Sequence, residues 1–225
     1  MTRASPMSAE LCEILSGYDG TYGDKKIHKA VDSFLPEQER QTLPDMLLTA
    51  CNHPFPEAMS FAEKARLIYE ALRRNIIYYP SKPFPKVAYT FVAALQGTAV
   101  CMGVSELFHL CLLASGIPSE IIVGSINGKT ESLHAWNRVM LEDGTSYFCD
   151  LTWDLSPDGA PARYFLKGCE TFAKSGHMYR ADRYPGISRH DFLLNRDPDP
   201  EIVRLYTKLW KEHFFNYYKK GCDVK

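Results

Sequence analysis

The chain lacks any charge imbalance. Its 26 lysine and arginine residues nearly match its 27 aspartate and glutamate residues, and the formal net charge is -1. A chain this close to neutrality has no general electrostatic attraction to nucleic acid or to anionic membranes. The composition therefore predicts neither a nucleic-acid partner nor a membrane-surface partner.

Long apolar runs are also missing. The chain contains no run of about 18 consecutive apolar residues, the length that suggests a membrane-spanning helix. Residues 1–20 contain no apolar stretch of the kind found in signal peptides. These two absences predict a cytoplasmic protein without a membrane anchor.

The cysteines do not form a recognisable framework. They occupy positions 12, 51, 101, 111, 149, 169 and 222. The number is odd, the spacing is irregular and there is no C-x-x-C pair, so we expect mostly reduced thiols. A zinc site built from Cys101, His109, Cys111 and His134 fits no usual ligand spacing, and no acidic loop suggests calcium. The sequence predicts no metal and no cofactor.

One cysteine stands at the start of a predicted helix. After Cys101, apolar residues recur at spacings of three and four as far as Leu112, and the segment 115–118, S-G-I-P, ends the pattern. Free backbone N–H groups and the helix dipole favour thiolate over thiol at this position, and the thiolate is the nucleophilic form. The position of Cys101 therefore indicates an activated cysteine, although a small core residue is the commoner role of such a cysteine.

A hairpin is predicted to bring a histidine and a carboxylate together. His134 begins one strand, and the second strand leads to Asp150 after the turn residues 142–144. A three-residue loop ending at Gly144 places Trp136 opposite Asp150, so that His134 and Asp150 share a face one diagonal step apart. A two-residue loop would turn Asp150 to the other face.

Cysteine, histidine and aspartate in this order suggest nucleophilic catalysis. Each residue alone has a simpler structural explanation, but the three together match a thiol, a base and a carboxylate that orients the base. The sequence therefore predicts catalytic roles for Cys101, His134 and Asp150. Asp154 is the next carboxylate to consider if Asp150 points away.

Six segments carry a resemblance to a known family. They are A-L-R-R-N-I-I-Y at 71–78, G-T-A-V-C-M-G at 97–103, A-S-G-I-P-S at 114–119, H-A-W-N-R-V at 134–139, D-G-T-S-Y-F-C-D-L-T-W-D at 143–154 and R-Y-F-L at 163–166. With these segments, the stretch from Ala65 to about His177 resembles the transglutaminase-like superfamily of papain-type folds, especially its compact bacterial members.

The resemblance implies a fold and a chemistry. The fold is α+β and papain-like, with a helical part that carries the cysteine packed on an antiparallel sheet that carries the histidine and aspartate. Cys101 matches the family nucleophile, His134 its base and Asp150 the residue that orients the base. The implied reaction is acyl transfer on a protein or peptide amide through a thioester, and no cofactor is implied.

Two departures from the family pattern affect the cleft. Met102-Gly103-Val104 stands where Gln-Gly-Tyr is common, and Phe91 occupies a position that often has an aromatic hydroxyl. The oxyanion donor stays open between the backbone N–H of Cys101 and the side-chain amide of Gln96. The candidate cleft-lining residues are Trp136, Phe91 and Tyr89, with the proline-rich loop 78–89 as a candidate wall. Trp153 is expected on the opposite face of the sheet.

The sequence predicts a single domain over residues 1–225. Within it we expect a helical N-terminal cover at 1–58, the transglutaminase-like core at 59–180 and an amphipathic helix at 199–220. Ser60 and Glu63 form a capping box before a helix that ends near Asn75. The C-terminal helix is expected to present one face, namely Ile202, Leu205, Tyr206, Leu209, Trp210, His213 and Tyr217. That face is predicted to pack on the domain, with homodimer formation as the alternative.

Two structural expectations concern the segment after the hairpin. Residues 153–154 and 164–166 are expected to finish the sheet, and His177 is expected to be structural.

The reaction stays open between glutamine–amine transfer, deamidation and peptide hydrolysis, because all three use the same thioester. A binding module that has kept the fold is the alternative from another functional class, and the presence of all three triad residues favours the enzyme.

Overall fold

An antiparallel sheet with helices packed on both of its faces makes up the fold. The computed structural model describes residues 59–129, 132–194 and 198–212, together with residues 47 and 49. The helices are α1 (Phe61–Asn75), α2 (Phe91–Leu95), α3 (Cys101–Ala114), α4 (Cys169–Lys174) and α5 (Pro200–Trp210), with 3-10 turns at Lys86–Tyr89 and Ala181–Arg183. The strands are β1 (Ile77–Tyr78), β2 (Thr98–Ala99), β3 (Ser119–Ile126), β4 (Leu133–Met140), β5 (Ser146–Cys149) and β6 (His177–Met178). The predicted α+β class is confirmed.

The main sheet has four strands in the order β5-β4-β3-β6, and all neighbours are antiparallel. Strands β1 and β2 form a separate parallel pair that leads into α3. Helix α3 packs across β3 and β4, so the start of this helix and the strand with His134 face each other. The main apolar core lies between these layers.

The β4–β5 hairpin has the predicted register. Met140 pairs with Ser146 and Asn137 with Cys149, and the Leu141 N–H donates to the Thr145 carbonyl at 2.9 Å. Gly144 has φ +80°, a left-handed conformation that glycine adopts without strain. The three-residue loop is confirmed.

Two features join α3 to its neighbours. A Cβ atom on Gly103 would lie 2.4 Å from the Thr90 carbonyl oxygen, so only glycine allows this close approach. On the other side, the buried Asn137 side chain donates to the Ser105 carbonyl at 3.0 Å. The helix that begins at Cys101 is thereby held against both α2 and β4.

The predicted helix caps are confirmed. Ser60 and Glu63 form the capping box, and α1 ends at Asn75. Asp199 caps α5 with Pro200 in its first turn, and α5 packs on α1.

The predicted face of the C-terminal helix is partly wrong. Val203, Tyr206 and Trp210 form the buried face, whereas Ile202 and Leu205 are 38% and 52% exposed. The helix docks on α1 with a face rotated from the one that the apolar spacing suggested. His213 and Tyr217, and the predicted cover at 1–58 apart from residues 47 and 49, lie outside the described residues.

The segment after β5 is a turn rather than more sheet. Residues 151–154 turn, and residues 164–166 bend beside β5, where single bridges replace a ladder. The sheet is completed instead by β6 at its other edge. Among the described residues no helix has both the length and the apolar character required to cross a membrane.

Candidate active site

Cys101 is the first residue of α3. Its side chain is partly exposed, and the first turn contains no acidic residue. Val100, the residue before the helix, has no side chain that can accept hydrogen bonds from the backbone N–H groups of the first turn. The Cys101 side chain therefore lies at the positive end of the helix dipole.

The His134 imidazole lies between Cys101 and Asp150. Its Nε2–H donates to Asp150 Oδ2 at 2.6 Å, and the Cys101 side chain hydrogen-bonds to the same ring. Because Nε2 is engaged by the carboxylate, Nδ1 is the nitrogen left for the thiol. The structure therefore brings the three sequence-predicted residues together.

The charges in this cluster stabilise each other. Burial alone would lower the pKa of His134, but the hydrogen bonds to Asp150 and Cys101 outweigh it and raise the pKa to about 10. Burial would raise the pKa of Asp150, but hydrogen bonds from His134 and His177 lower it instead. The geometry favours a carboxylate beside a protonated imidazole.

A second imidazole binds the same carboxylate oxygen. His177 Nε2 lies 2.9 Å from Asp150 Oδ2, and its Nδ1 lies 2.8 Å from Ser175 Oγ. The sequence favoured a structural role for His177, although its segment, F-A-K-S-G-H at 172–177, resembles a trailing F-x-x-x-G-H segment of the family. The signal was weak, since His177 lies 27 residues after Asp150 beyond an irregular segment.

Asp154 holds the turn that carries Asp150. Its carboxylate accepts hydrogen bonds from the backbone N–H groups of Arg163 and Tyr164 at 2.8 and 2.7 Å, and from the Tyr69 hydroxyl at 2.6 Å. The Asp150 N–H donates to the Tyr164 carbonyl at 2.9 Å. Asp154 is therefore a structural carboxylate, and Asp150 is the one that faces His134.

The hydroxyl of Tyr78 lies at the backbone of Cys101. Burial and the neighbouring Cys101 raise the pKa of Tyr78 to about 12, while a hydrogen bond from the Cys101 backbone opposes this shift. Tyr78 is 41% exposed, and its ring packs edge-on against Phe84, which also contacts Tyr89. The proline-rich loop thus forms a wall beside the cysteine. Gln96 is the C-cap residue of α2, where its backbone N–H donates to the Ala94 and Val92 carbonyls.

Two cleft-lining predictions are wrong and one residue was missed. Trp136 and Phe91 are completely buried, so neither lines an open cleft. Tyr89 is exposed beside Phe84. Trp153, expected on the opposite face, lies with its ring centroid 5.7 Å from that of His134 and is 39% exposed. The turn at 151–154 breaks the strand alternation on which the prediction depended.

The sequence profile of the transglutaminase-like superfamily matches residues 52–151. This range contains Cys101, His134 and Asp150. This matched segment of the chain is a transglutaminase-like core. The match supports a cysteine-based catalytic role at the level of the family. No curated protein sequence is similar enough to the chain to count as a match.

Solved structures with a similar fold are distant. A candidate cysteine protease of Cytophaga hutchinsonii is 19% identical to this chain, with a TM-score of 0.40. The alignment covers 51% of this chain and 39% of the protease chain. A TGase crystal structure is 18% identical with a TM-score of 0.42, covering 68% and 42%. A candidate protease of Parabacteroides distasonis is 16% identical with a TM-score of 0.37, covering 64% and 26%. The chain spans less than half the length of each of these proteins.

The site also contains a group with the donor set of a metal site. His134, Asp150 and His177 offer ligand atoms that lie within 4.8 Å of one another. The Nε2 atoms of both rings, however, lie at 2.6 and 2.9 Å from one carboxylate oxygen, which are hydrogen-bond distances. The three side chains are buried and face each other directly. The cluster is therefore best described as a hydrogen-bonded chain.

Proposed function

We propose that this protein catalyses cysteine-dependent acyl transfer on protein or peptide amides through a thioester. The observation that carries the proposal is the His134 imidazole, hydrogen-bonded to Asp150 on one side and to Cys101 on the other. This is the arrangement that an activated cysteine requires.

The proposed reaction has two halves. The Cys101 thiolate attacks the amide carbonyl and forms a C–S bond, and His134 gives its proton to the leaving amine as the C–N bond breaks. An incoming amine or water then loses a proton to His134 and attacks the thioester, and the Cys101 thiolate leaves. Asp150 stabilises the imidazolium present before each proton donation.

The oxyanion formed in each half needs hydrogen-bond donors. The backbone N–H of Cys101 is one candidate, and it already bonds to the Tyr78 hydroxyl. A hydroxyl with a pKa of about 12 stays protonated at neutral pH, so Tyr78 can donate to a substrate oxygen. We infer that Tyr78, rather than Gln96, supplies the side-chain donor, because the Cys101 N–H already donates to the Tyr78 hydroxyl and orients it.

Transfer and hydrolysis remain competing outcomes. Water is present at about 55 M, so transfer requires a site that holds the amine and excludes water. Exposed aromatic rings lie on both sides of the reacting groups, with Tyr78 beside Cys101 and Trp153 beside His134. A groove of about 650 Å³ lies on the far side of Trp153, lined by residues of 153–164 and not by Cys101 or His134. These walls support glutamine–amine transfer. Deamidation and peptide hydrolysis, in which water releases the acyl group from the thioester, are the alternatives.

The proposal is tested first by alkylation. Limited iodoacetamide treatment, read by intact mass and peptide mapping, should label Cys101 before any other thiol. Cys169 is the matched comparison, because it also begins a helix and is partly exposed. Preferential labelling of Cys169 with Cys101 inert would contradict the mechanism.

The second test separates the reactions. A glutamine-containing protein is incubated with a labelled primary amine, and amine incorporation, ammonia release and chain cleavage are measured. Incorporation supports transfer, ammonia alone supports deamidation, and cleavage alone supports a peptidase. Cys101→Ala should abolish each of them and Cys169→Ala should not. If wild-type Cys101 is no more reactive than Cys169 and no product forms, the binding-module alternative is favoured.

A further inference from the structure

We propose that His177 is a positioning residue that holds the Asp150 carboxylate in the orientation that His134 requires. The proposal rests on the proposed cysteine chemistry and adds a fourth member to its hydrogen-bonded chain. His177 does not touch the thiol in this arrangement. It acts through Asp150.

The hydrogen bonds of Asp150 leave its carboxylate little freedom. Oδ2 accepts from His134 Nε2 at 2.6 Å and from His177 Nε2 at 2.9 Å, while Oδ1 accepts from the Trp153 N–H at 3.1 Å. Asp150 is completely buried. Without His177, the only remaining hydrogen bond to Oδ2 would come from His134, which is the imidazole that the carboxylate has to orient.

Ser175 helps to select the tautomer of His177. A carboxylate accepts and does not donate, so the nitrogen that faces Asp150 must carry a proton. Nδ1 of a neutral ring then accepts, and the Ser175 hydroxyl lies 2.8 Å from it. The same hydroxyl lies 2.9 Å from the Phe172 carbonyl and has only one proton to give. When the hydroxyl donates to Nδ1, the ring keeps its proton on Nε2, where it can be donated to Asp150.

Aromatic rings enclose His177, and this enclosure provides a competing explanation. The ring centroids of Phe172, Trp153 and Trp136 lie at 4.3, 4.4 and 5.0 Å from that of His177. The titratable side chains that face it are Asp150, His134 at 5.7 Å and Tyr164 at 5.9 Å between ring centroids. If His177 only fills this aromatic space, an aromatic replacement will serve as well.

Two substitutions separate the two explanations. His177→Phe keeps an aromatic ring but removes the donor, whereas His177→Gln can place an amide N–H near the position of Nε2. The readout is the ratio of Cys101 alkylation rates at pH 6.5 and pH 9 in the full chain, with thermal unfolding measured in parallel. We expect His177→Phe to lower the rate at pH 6.5, and with it this ratio, about 10- to 100-fold, the range seen when an outer hydrogen-bond partner is removed from a metal site. His177→Gln should recover most of it.

The reverse ranking would overturn the proposal. Equal rates for wild type and His177→Phe, with loss in His177→Gln, would make His177 a packing residue. If wild-type Cys101 itself shows no enhanced rate at pH 6.5, the proposed function fails rather than this inference. The tautomer is measured independently in the wild-type chain by ¹⁵N NMR of the histidine rings. We expect a protonated Nε2 on His177, and a ring protonated only at Nδ1 would overturn the proposal even if both variants failed to fold.

Discussion

At the scale of single residues, the hydrogen bond between Asp150 and His134 distinguishes this site from an ordinary buried cysteine. The carboxylate fixes the imidazole so that its other nitrogen faces Cys101. Asp150→Asn should therefore fold but slow acylation by about 10²- to 10⁴-fold, as loss of an orienting carboxylate does in other triads. The measurement is single-turnover thioester formation with an activated ester. Unchanged rates in a folded variant would remove Asp150 from the mechanism.

The matched control for Asp150 is Asp154. Its carboxylate accepts two backbone N–H groups and the Tyr69 hydroxyl, and burial raises the pKa of Tyr69 well above its usual value. Asp154→Asn should lower stability by about 1–3 kcal/mol through these lost bonds. It should change the rate less than Asp150→Asn does.

Tyr78 gives a second prediction at this scale. Tyr78→Phe removes the hydroxyl at the Cys101 backbone but keeps the ring against Phe84. If the hydroxyl donates to the oxyanion, the acylation rate should fall about 10²- to 10³-fold with little change in stability. Gln96→Ala is the comparison, and a larger effect of Gln96→Ala would return the oxyanion role to that side chain.

The pKa of His134 predicts how stability depends on pH. Burial opposes the shift, but the hydrogen bonds to Asp150 and Cys101 raise this pKa from 6.5 to about 10. A group whose pKa is raised by folding contributes stability that is fully present below pH 6.5 and is lost as the pH rises through about 10. Urea unfolding between pH 6 and 10 should show this loss. His134→Gln should flatten it, and the exposed His190→Gln should not.

At the scale of secondary-structure elements, the position of α3 depends on close backbone contacts. Gly103→Ala would bring a methyl group against the Thr90 carbonyl, which cannot move as a flexible side chain would. We expect a loss of about 1–3 kcal/mol in the free energy of unfolding and slower alkylation of Cys101. Gly144→Asn is the control, because that glycine has open space around it and asparagine tolerates a left-handed conformation. Equal stability of the two variants would contradict the argument.

At the scale of the whole molecule, α5 leaves apolar side chains at the surface. Ile202 and Leu205 are exposed on this helix while Val203 and Tyr206 face inward. A homodimer through the C-terminal helix, which stays a prediction, would cover the two exposed side chains. Light scattering should then give a dimer mass for the wild type and a monomer mass for Leu205→Glu. A monomer mass for both would make the dimer prediction wrong.

The sequence alone determined the features that depend on local chemistry. The capping box at Ser60, the cap at Asp199 and the glycine at 144 each require only their neighbours in the chain. The hairpin register follows from that turn, so the shared face of His134 and Asp150 was predictable from the alternation of strand side chains. The order of the three proposed catalytic residues is read directly from the sequence, and the α+β class followed from the family resemblance of the quoted segments.

Only the tertiary structure decided what surrounds the triad. The turn at 151–154 takes Trp153 back towards His134, and the chain then returns at β6 to bring His177 onto Asp150. Packing covers Trp136 and Phe91 completely, although the hairpin register of Trp136 and the family position of Phe91 suggested a cleft. Neither helical nor strand periodicity extends through an irregular segment, so side chains brought together beyond one are determined by the folded path of the chain.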